Sequence, residues 1–190
     1  MKTKERLTDA QLQSAFITLS GDYIRNSDFE RGVFQENLTL NTYDDNERGI
    51  VVGEARLVLV NGEQTDFEDV ADSISGDVWF VASRMLNHFN LPHDSRFAII
   101  DDFFVYGKKV TVKTRVKLLE EQVLPYLYDR GIDKVGFLNA SICYTDSKLE
   151  QENLDSLFEY VLPMTRETVK GEPWSEGVNV IDLAKAEMFD

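Results

Sequence analysis

Residues 97–139 read FAIIDDFFVYGKKVTVKTRVKLLEEQVLPYLYDRGIDKVGFLN, and the order of elements in this stretch decides the fold. Phe97 to Tyr106 is nearly continuous in Phe, Ile and Val apart from Asp101 and Asp102, the composition of a central strand buried on both faces. Val112, Val116, Leu119, Val123 and Leu127 follow at helical spacing, so an amphipathic helix comes next. Pro125 is expected to bend or divide that helix, and Gly131 to cap its end. Val135 to Tyr144 reads as a further strand. A short basic segment, GKKVTVKT (Gly107 to Thr114), joins the first strand to the helix.

The flanking sequence completes the domain. Thr8 and Gln11 form a capping-box pair, and Leu12, Ala15, Phe16, Leu19 and Tyr23 continue at helical spacing, which predicts a first helix from about Asp9 to Arg25. Residues 33–43 and 49–60 read as two strands joined by the turn residues DDNERG, an antiparallel hairpin. A polar, acidic connection leads to a helix marked by Val78, Val81, Met85 and Phe89, with cap-type residues at Ser75 to Asp77. Ser147 and Glu150 open another predicted helix, carried by Leu154, Leu157, Phe158 and Val161 and ended before Pro163. Val178 to Leu183 is a last short strand. The alternation predicts one α/β (α+β) domain over 1–190 with a mixed sheet. It divides into a helical arm over 1–30, a core of sheet and helices over 33–144, and a helix and strand over 145–190.

Composition limits the function classes. Cys143 is the single cysteine, which excludes an internal disulfide and fits a reducing compartment. No run approaches the roughly 20 apolar residues that span a bilayer, and MKTKERLTDAQ lacks the apolar stretch of a signal peptide, so a cytoplasmic protein without membrane contact is expected. A net charge of −14 disfavours nucleic acid, whose phosphates need Lys and Arg. The acidic residues are spread along the chain, as on a solvated surface; a grip on a basic partner is the sharper alternative.

One segment departs from that balance. Lys108, Lys109, Lys113, Arg115 and Lys117 stand together without an acidic residue, leaving 15 basic against 34 acidic residues elsewhere. Basic charge at a helix start is unfavourable, because the helix N-terminus is itself partly positive. An anionic ligand or an acidic surface of the same protein would relieve the cost, and both explanations stay open.

The element order and the text of 49–139 resemble the GNAT superfamily of acyl-CoA-dependent N-acetyltransferases. GEARLVLV followed by DFEDVADSISGDVWFVASRML, the strand FAIIDDFFVY, and LLEEQVLPYLYDRGIDKVGFL carry the resemblance. It implies a mostly antiparallel central sheet flanked by helices. It also implies acetyl-CoA as cofactor, with the strand FAIIDDFFVY beside the pantetheine arm and the following segment on the pyrophosphate. The cofactor-binding positions it implies are Val105, Lys108, Lys109, Val110, Val112, Lys113 and Thr114. The family's motif here is Arg/Gln-x-x-Gly-x-Gly/Ala, whose glycines let backbone N–H groups approach the phosphates. Lys109 keeps the basic first position, but Val112 and Thr114 stand where the glycines are expected, and Val110 replaces another. Their β-branched side chains are expected to put bulk at the phosphate position.

The resemblance further implies a carboxylate general base and a tyrosine general acid. Glu54, Asp101 or Asp102 are the candidates for the first and Tyr144 for the second. The plainer expectation for Asp101 and Asp102 is hydrogen bonding to backbone at a strand end, and for Cys143 and Tyr144 it is packing. His88 and His93 are the only histidines, and the acidic run Asp66, Glu68, Asp69 and Asp72 lacks EF-hand spacing, so no metal is expected. Two functions stay open. One is a non-catalytic GNAT-like protein with a degenerate acetyl-CoA site, binding a protein partner through its acidic surface or the 108–117 island. The other is an active N-acetyltransferase for a small amine or a protein amine. The glycine loss favours the first.

Overall fold

The computed structural model describes residues 7–14, 16–24, 33–43, 47, 49–61, 67–88, 96–108, 110–142, 164–167 and 178–183. In chain order its elements are β1 (Leu7–Thr8), α1 (Asp9–Ser14), β2 (Thr18–Ile24), β3 (Val33–Tyr43), β4 (Gly49–Asn61), α2 (Phe67–Ile74), α3 (Gly76–His88) and β5 (Arg96–Val105). They continue with β6 (Gly107–Lys108), α4 (Val112–Leu118), a π turn (Leu119–Val123), α5 (Leu124–Asp129), β7 (Lys134–Leu138), α6 (Asn139–Ile142), β8 (Met164–Glu167) and β9 (Val178–Asp182).

Seven strands form one mixed sheet in the order β2-β3-β4-β5-β7-β9-β8. Within this sheet, among the described residues, β5 and β7 run parallel and the other neighbouring pairs are antiparallel. The expected hairpin is β3–β4, at the heart of the sheet. The parallel pair is joined by α4, the π turn and α5, the long crossover that a parallel connection requires. Both faces of β5 are covered, which is why its sequence lacks alternation. Ala98 and Ile100 enter the core under α4 and α5, while Phe97 and Ile99 enter the one under α3. Gly136 on β7 lets α3 come close, since a Cβ there would lie 2.3 Å from Met85 Sδ and 2.8 Å from Val81 Cγ1.

The long helix changes pitch where Pro125 disturbs it. Pro125 offers no N–H to the carbonyl four residues back, and the turn before it is bonded i to i+5, with Leu124 N–H donating to the Leu119 carbonyl. Its end is a Schellman motif. Ile132 N donates to Leu127 O at 3.1 Å and Gly131 N to Tyr128 O at 2.8 Å, with Gly131 at φ +72°.

Two polar groups are tied to this helix. Glu36 on β3 is fully buried; its Oε1 accepts hydrogen bonds from Tyr126 Oη and from Arg130 Nη2, the latter at 3.2 Å. The Arg130 guanidinium also lies 4.5 Å from the centre of the Tyr126 ring. Glu120, on the π turn, has a buried Oε1 without a hydrogen-bond partner among the described residues, and burial with the neighbouring Glu121 charge pushes its carboxyl up to about 7.

Several expected elements differ. The predicted helix Asp9–Arg25 stops at Ser14, and Thr18–Ile24 instead pairs along its whole length with β3. The 1–30 arm is therefore not helical throughout, because Thr18 and Gly21 are weak helix formers and the ladder to β3 outweighs local periodicity. The expected strand 135–144 ends at Leu138, where Asn139, Ala140 and Ser141 turn into α6. The acidic connection contains α2, whose Phe67, Val70, Ala71 and Ile74 repeat at helical spacing. The predicted helix over 147–161 lies outside the described residues, as do Cys143 and His93.

Candidate functional site

Two adjoining regions at the end of β5 collect the residues singled out above. The first is the entrance to α4. Val105 is buried in the core opposite Gly53. The chain then makes a two-residue parallel bridge, Leu7 with Gly107 and Thr8 with Lys108. Gly107 is hemmed in: a Cβ there would lie 2.3 Å from Val110 Cγ2 and 3.0 Å from the Leu7 carbonyl oxygen. Thr111 caps α4, its Oγ1 accepting from Thr114 N at 3.2 Å.

The carboxylate of Asp9 lies against that cap. Asp9 Oδ1 accepts from Thr111 N at 2.9 Å and contacts Thr111 Oγ1 at 3.2 Å. The segment that carries Asp9 is fixed by its own capping box, in which Thr8 N donates to Gln11 Oε1 at 2.9 Å and Gln11 N to Thr8 Oγ1 at 3.3 Å. Leu12 anchors it in the core. The protein thus places one of its own carboxylates beside the partly positive start of the long helix.

The side chains expected to fill this position divide: Thr114 Oγ1 lies 3.1 Å from Thr111 Oγ1 at the cap, whereas the two valines pack on the core. Val112 and Thr114 are buried, Val112 within the core, and Val110 packs at the core's edge. The described side chains of the basic segment have different surroundings. Lys113 is exposed, Arg115 donates from Nη1 to the Ile142 carbonyl at 3.4 Å, and Lys117 sits 3.7 Å from Glu121 one turn on. Lys109 and Tyr144 lie outside the described residues, as does the side chain of Lys108.

The second region is a groove of about 410 Å³ on the open part of the sheet, lined by Asn37, Leu38, Thr39, Glu54, Ala55, Arg56, Asp102 and Phe104. Register explains its lining. Asn37, Arg56 and Asp102 form one cross-strand row, and Thr39, Glu54 and Phe104 the next. A β-bulge shapes it: Arg56 pairs with Asp102 and Leu57 with Ile100, leaving Asp101 as the extra residue. Both aspartates consequently reach one guanidinium, Arg56 Nε at 2.8 Å from Asp101 Oδ2 and Arg56 Nη2 at 3.4 Å from Asp102 Oδ2. Both aspartates lie within β5 and not at its end, and share the Arg56 side chain as partner, while Asp102 also has the backbone hydrogen bond expected from sequence, from the Phe103 N–H. Ser75 Oγ donates to Asp101 Oδ1 at 3.4 Å and accepts from Val78 N at 3.1 Å, tying the bulge to the start of α3.

Burial raises the Asp102 carboxyl above the usual aspartate range; Arg56 and the Phe103 backbone N–H oppose this, while Asp101 and Glu54 add to it. Phe104 is 38% exposed, with Tyr106 edge-on to it at 4.9 Å between ring centres. Three of the four carboxyl and phenol candidates, Glu54, Asp101 and Asp102, thus belong to one region. Sequence reading passed over Arg56, although it shares a strand face with Glu54 two residues away. It passed over Asp9 for a different reason: 102 residues separate Asp9 from Thr111.

No protein-family model matches the chain, and no curated protein matches it. Among the described residues no group of three or more His, Cys, Asp or Glu is placed to hold a metal ion, and no helix is long and apolar enough to cross a membrane.

Proposed function

We propose that this chain is a GNAT-like protein whose acyl-CoA pyrophosphate site is taken over by its own N-terminal segment, and that it acts as a non-catalytic binding protein. The observation that carries this reading is the Asp9 carboxylate on the N–H and hydroxyl of Thr111. A diphosphate would need the same donors and the same partly positive helix start. Asp9 is tethered beside them, so it competes at a high effective concentration. Threonine at 114, where the GNAT motif has glycine or alanine, adds to the case, because its hydroxyl sits at the same cap. The strand–segment–helix–parallel-strand order of β5, α4 and β7 supports the scaffold assignment.

Thermal shift and calorimetric titration with CoA and acetyl-CoA test the reading. A ligand bound only by the folded state at 100 times its Kd stabilises by about 2.7 kcal/mol. In a domain of this size that raises Tm by several degrees (~2–4 °C per kcal/mol). The expected result is no shift at millimolar CoA; a saturable shift sinks the proposal. The alternative, an active N-acetyltransferase, draws support from the raised Asp102 carboxyl, whose ionised form is suited to take the proton of an acceptor ammonium group so that the neutral amine attacks the thioester. Release of free CoA thiol from acetyl-CoA in the presence of amines would favour that alternative.

A further inference from the structure

Among the described residues the sheet ends in two unlike strands. β8 is four residues long and carries Arg166 and Glu167, the short and charged kind of edge that resists further pairing. At the other end β2 runs for seven residues, with Asp22 as its one charge and without proline. Its hydrogen-bonded neighbour among the described residues is β3, and Ser20 and Gly21 at its middle are exposed. The strand therefore turns a row of backbone N–H and C=O groups outward. We infer that this edge pairs, antiparallel, with β2 of a second copy of the chain, joining the two sheets across a twofold axis. The inference does not depend on the reading of the α4 entrance.

Symmetry leaves few registers. A twofold axis normal to the sheet keeps each residue on its own face, so the axis must pass through a residue of β2. Centred on Gly21, all seven residues Thr18–Ile24 pair: Gly21 with itself, Ser20 with Asp22, Leu19 with Tyr23 and Thr18 with Ile24 across the axis. Centred on Ser20, pairing is confined to 18–22; centred on Asp22, it is confined to 20–24 and sets two like charges face to face. The Gly21 register has no like-charged pair. It also joins Thr with Ile and Leu with Tyr, residue types that favour a paired strand.

Ser20 supplies the polar match. Its Oγ accepts from Asn41 Nδ2 at 3.1 Å, which leaves the hydroxyl proton for an acceptor on the outer side. In the Gly21 register Asp22 of the second copy stands opposite, and a carboxylate is a strong acceptor. By symmetry the contact forms twice. Apolar surface lies at the same edge. Phe16 is 79% exposed just before β2, and Thr42 Oγ1 donates to its carbonyl at 2.8 Å, beside Tyr43, which is 62% exposed. The pairing brings the Ile24 end of the second copy to Thr18, two residues from Phe16.

Sedimentation equilibrium of the full chain tests this over about 5–300 µM, since one strand pair buries less than a standard interface and holds weakly. A reversible monomer–dimer equilibrium is expected. Ser20→Asp sets a charge against Asp22 of the second copy and should weaken the dimer at least tenfold. The same change at exposed Ser73 on α2 should weaken it less than twofold. Cysteine crosslinking reads the register without relying on a charge. Opposed Cα atoms of an antiparallel pair lie about 4.5–5.5 Å apart, within disulfide reach. With Cys143→Ser in every chain, a mixture of Ser20→Cys and Asp22→Cys proteins should crosslink on oxidation, and neither protein alone should. A monomer throughout the concentration range, equal losses at positions 20 and 73, or crosslinking of Ser20→Cys alone would each overturn the inference.

Discussion

Replacing Arg130 by methionine should expose how the sheet tolerates a buried carboxylate. Glu36 is fully buried on β3, and its Oε1 is held by Tyr126 Oη and by Arg130 Nη2 at 3.2 Å. Methionine keeps much of the stem's packing but withdraws the charge and the donor, leaving Glu36 with Tyr126 from this pair. Breaking a buried ion pair by removing one partner costs about 3–5 kcal/mol. Arg130 keeps 31% of its side chain exposed, so water screens the pair in part, and we expect about 2–4 kcal/mol. Loss of the stacking on Tyr126 accounts for about 0.5–1 kcal/mol of that. For a domain of this size the Tm should fall by roughly 5–15 °C, and urea denaturation at pH 7.5 gives the free energy directly. The decisive measurement is a double-mutant cycle with Glu36→Gln. Once the charge is gone, removing Arg130 should cost about 2 kcal/mol less than in the parent protein. Additive costs, or an Arg130→Met loss below about 0.5 kcal/mol, would refute the reasoning, because the carboxylate's burial would then not depend on this guanidinium.

Two further predictions test other parts of the fold. Glu120 has a folded-state carboxyl raised to about 7, so its unfolded form loses the proton first as pH rises and the fold is penalised progressively up to neutrality. Glu120→Gln should therefore be nearly neutral at pH 4.5 and stabilising by about 1–2 kcal/mol at pH 8; a gain independent of pH would contradict this. Gly136→Ala places a methyl 2.3 Å from Met85 Sδ and 2.8 Å from Val81 Cγ1, and should cost about 1–3 kcal/mol in chemical denaturation. An unchanged midpoint would mean that α3 gives way freely.

The parts of the fold legible in the sequence are those where one physical requirement dominates. The continuous run Phe97–Ile100 announces two-sided burial, and the hairpin strands announce themselves by turn chemistry between β-forming segments. The long helix is written in Val112, Val116, Leu119, Val123 and Leu127, and its end in Gly131. Residues 15–24 show where such reading fails. Apolar residues at 12, 16, 19 and 23 satisfy helical spacing, yet from Thr18 on the backbone bonds to β3, a choice made by a partner strand that local periodicity does not report. The groove was half legible: Glu54, Asp101 and Asp102 were visible as carboxyl groups on strands. Their convergence on Arg56 depends on a bulge, and a one-residue insertion in the register leaves no mark in composition.

The basic segment before α4 illustrates how charge counts become misleading without geometry. Read as a string, Lys108 to Lys117 is a cationic island at a helix start, in need of an anion from outside. In the folded chain Arg115 turns to a carbonyl of α6 and Lys117 to Glu121, so part of the island is already engaged with the protein itself. The anion at the helix start comes from Asp9, on a segment fixed by β1 pairing with β6, by its capping box and by Leu12. Supplying a carboxylate in cis has a consequence for the rest of the surface: the demand for a phosphate-bearing ligand at that point falls.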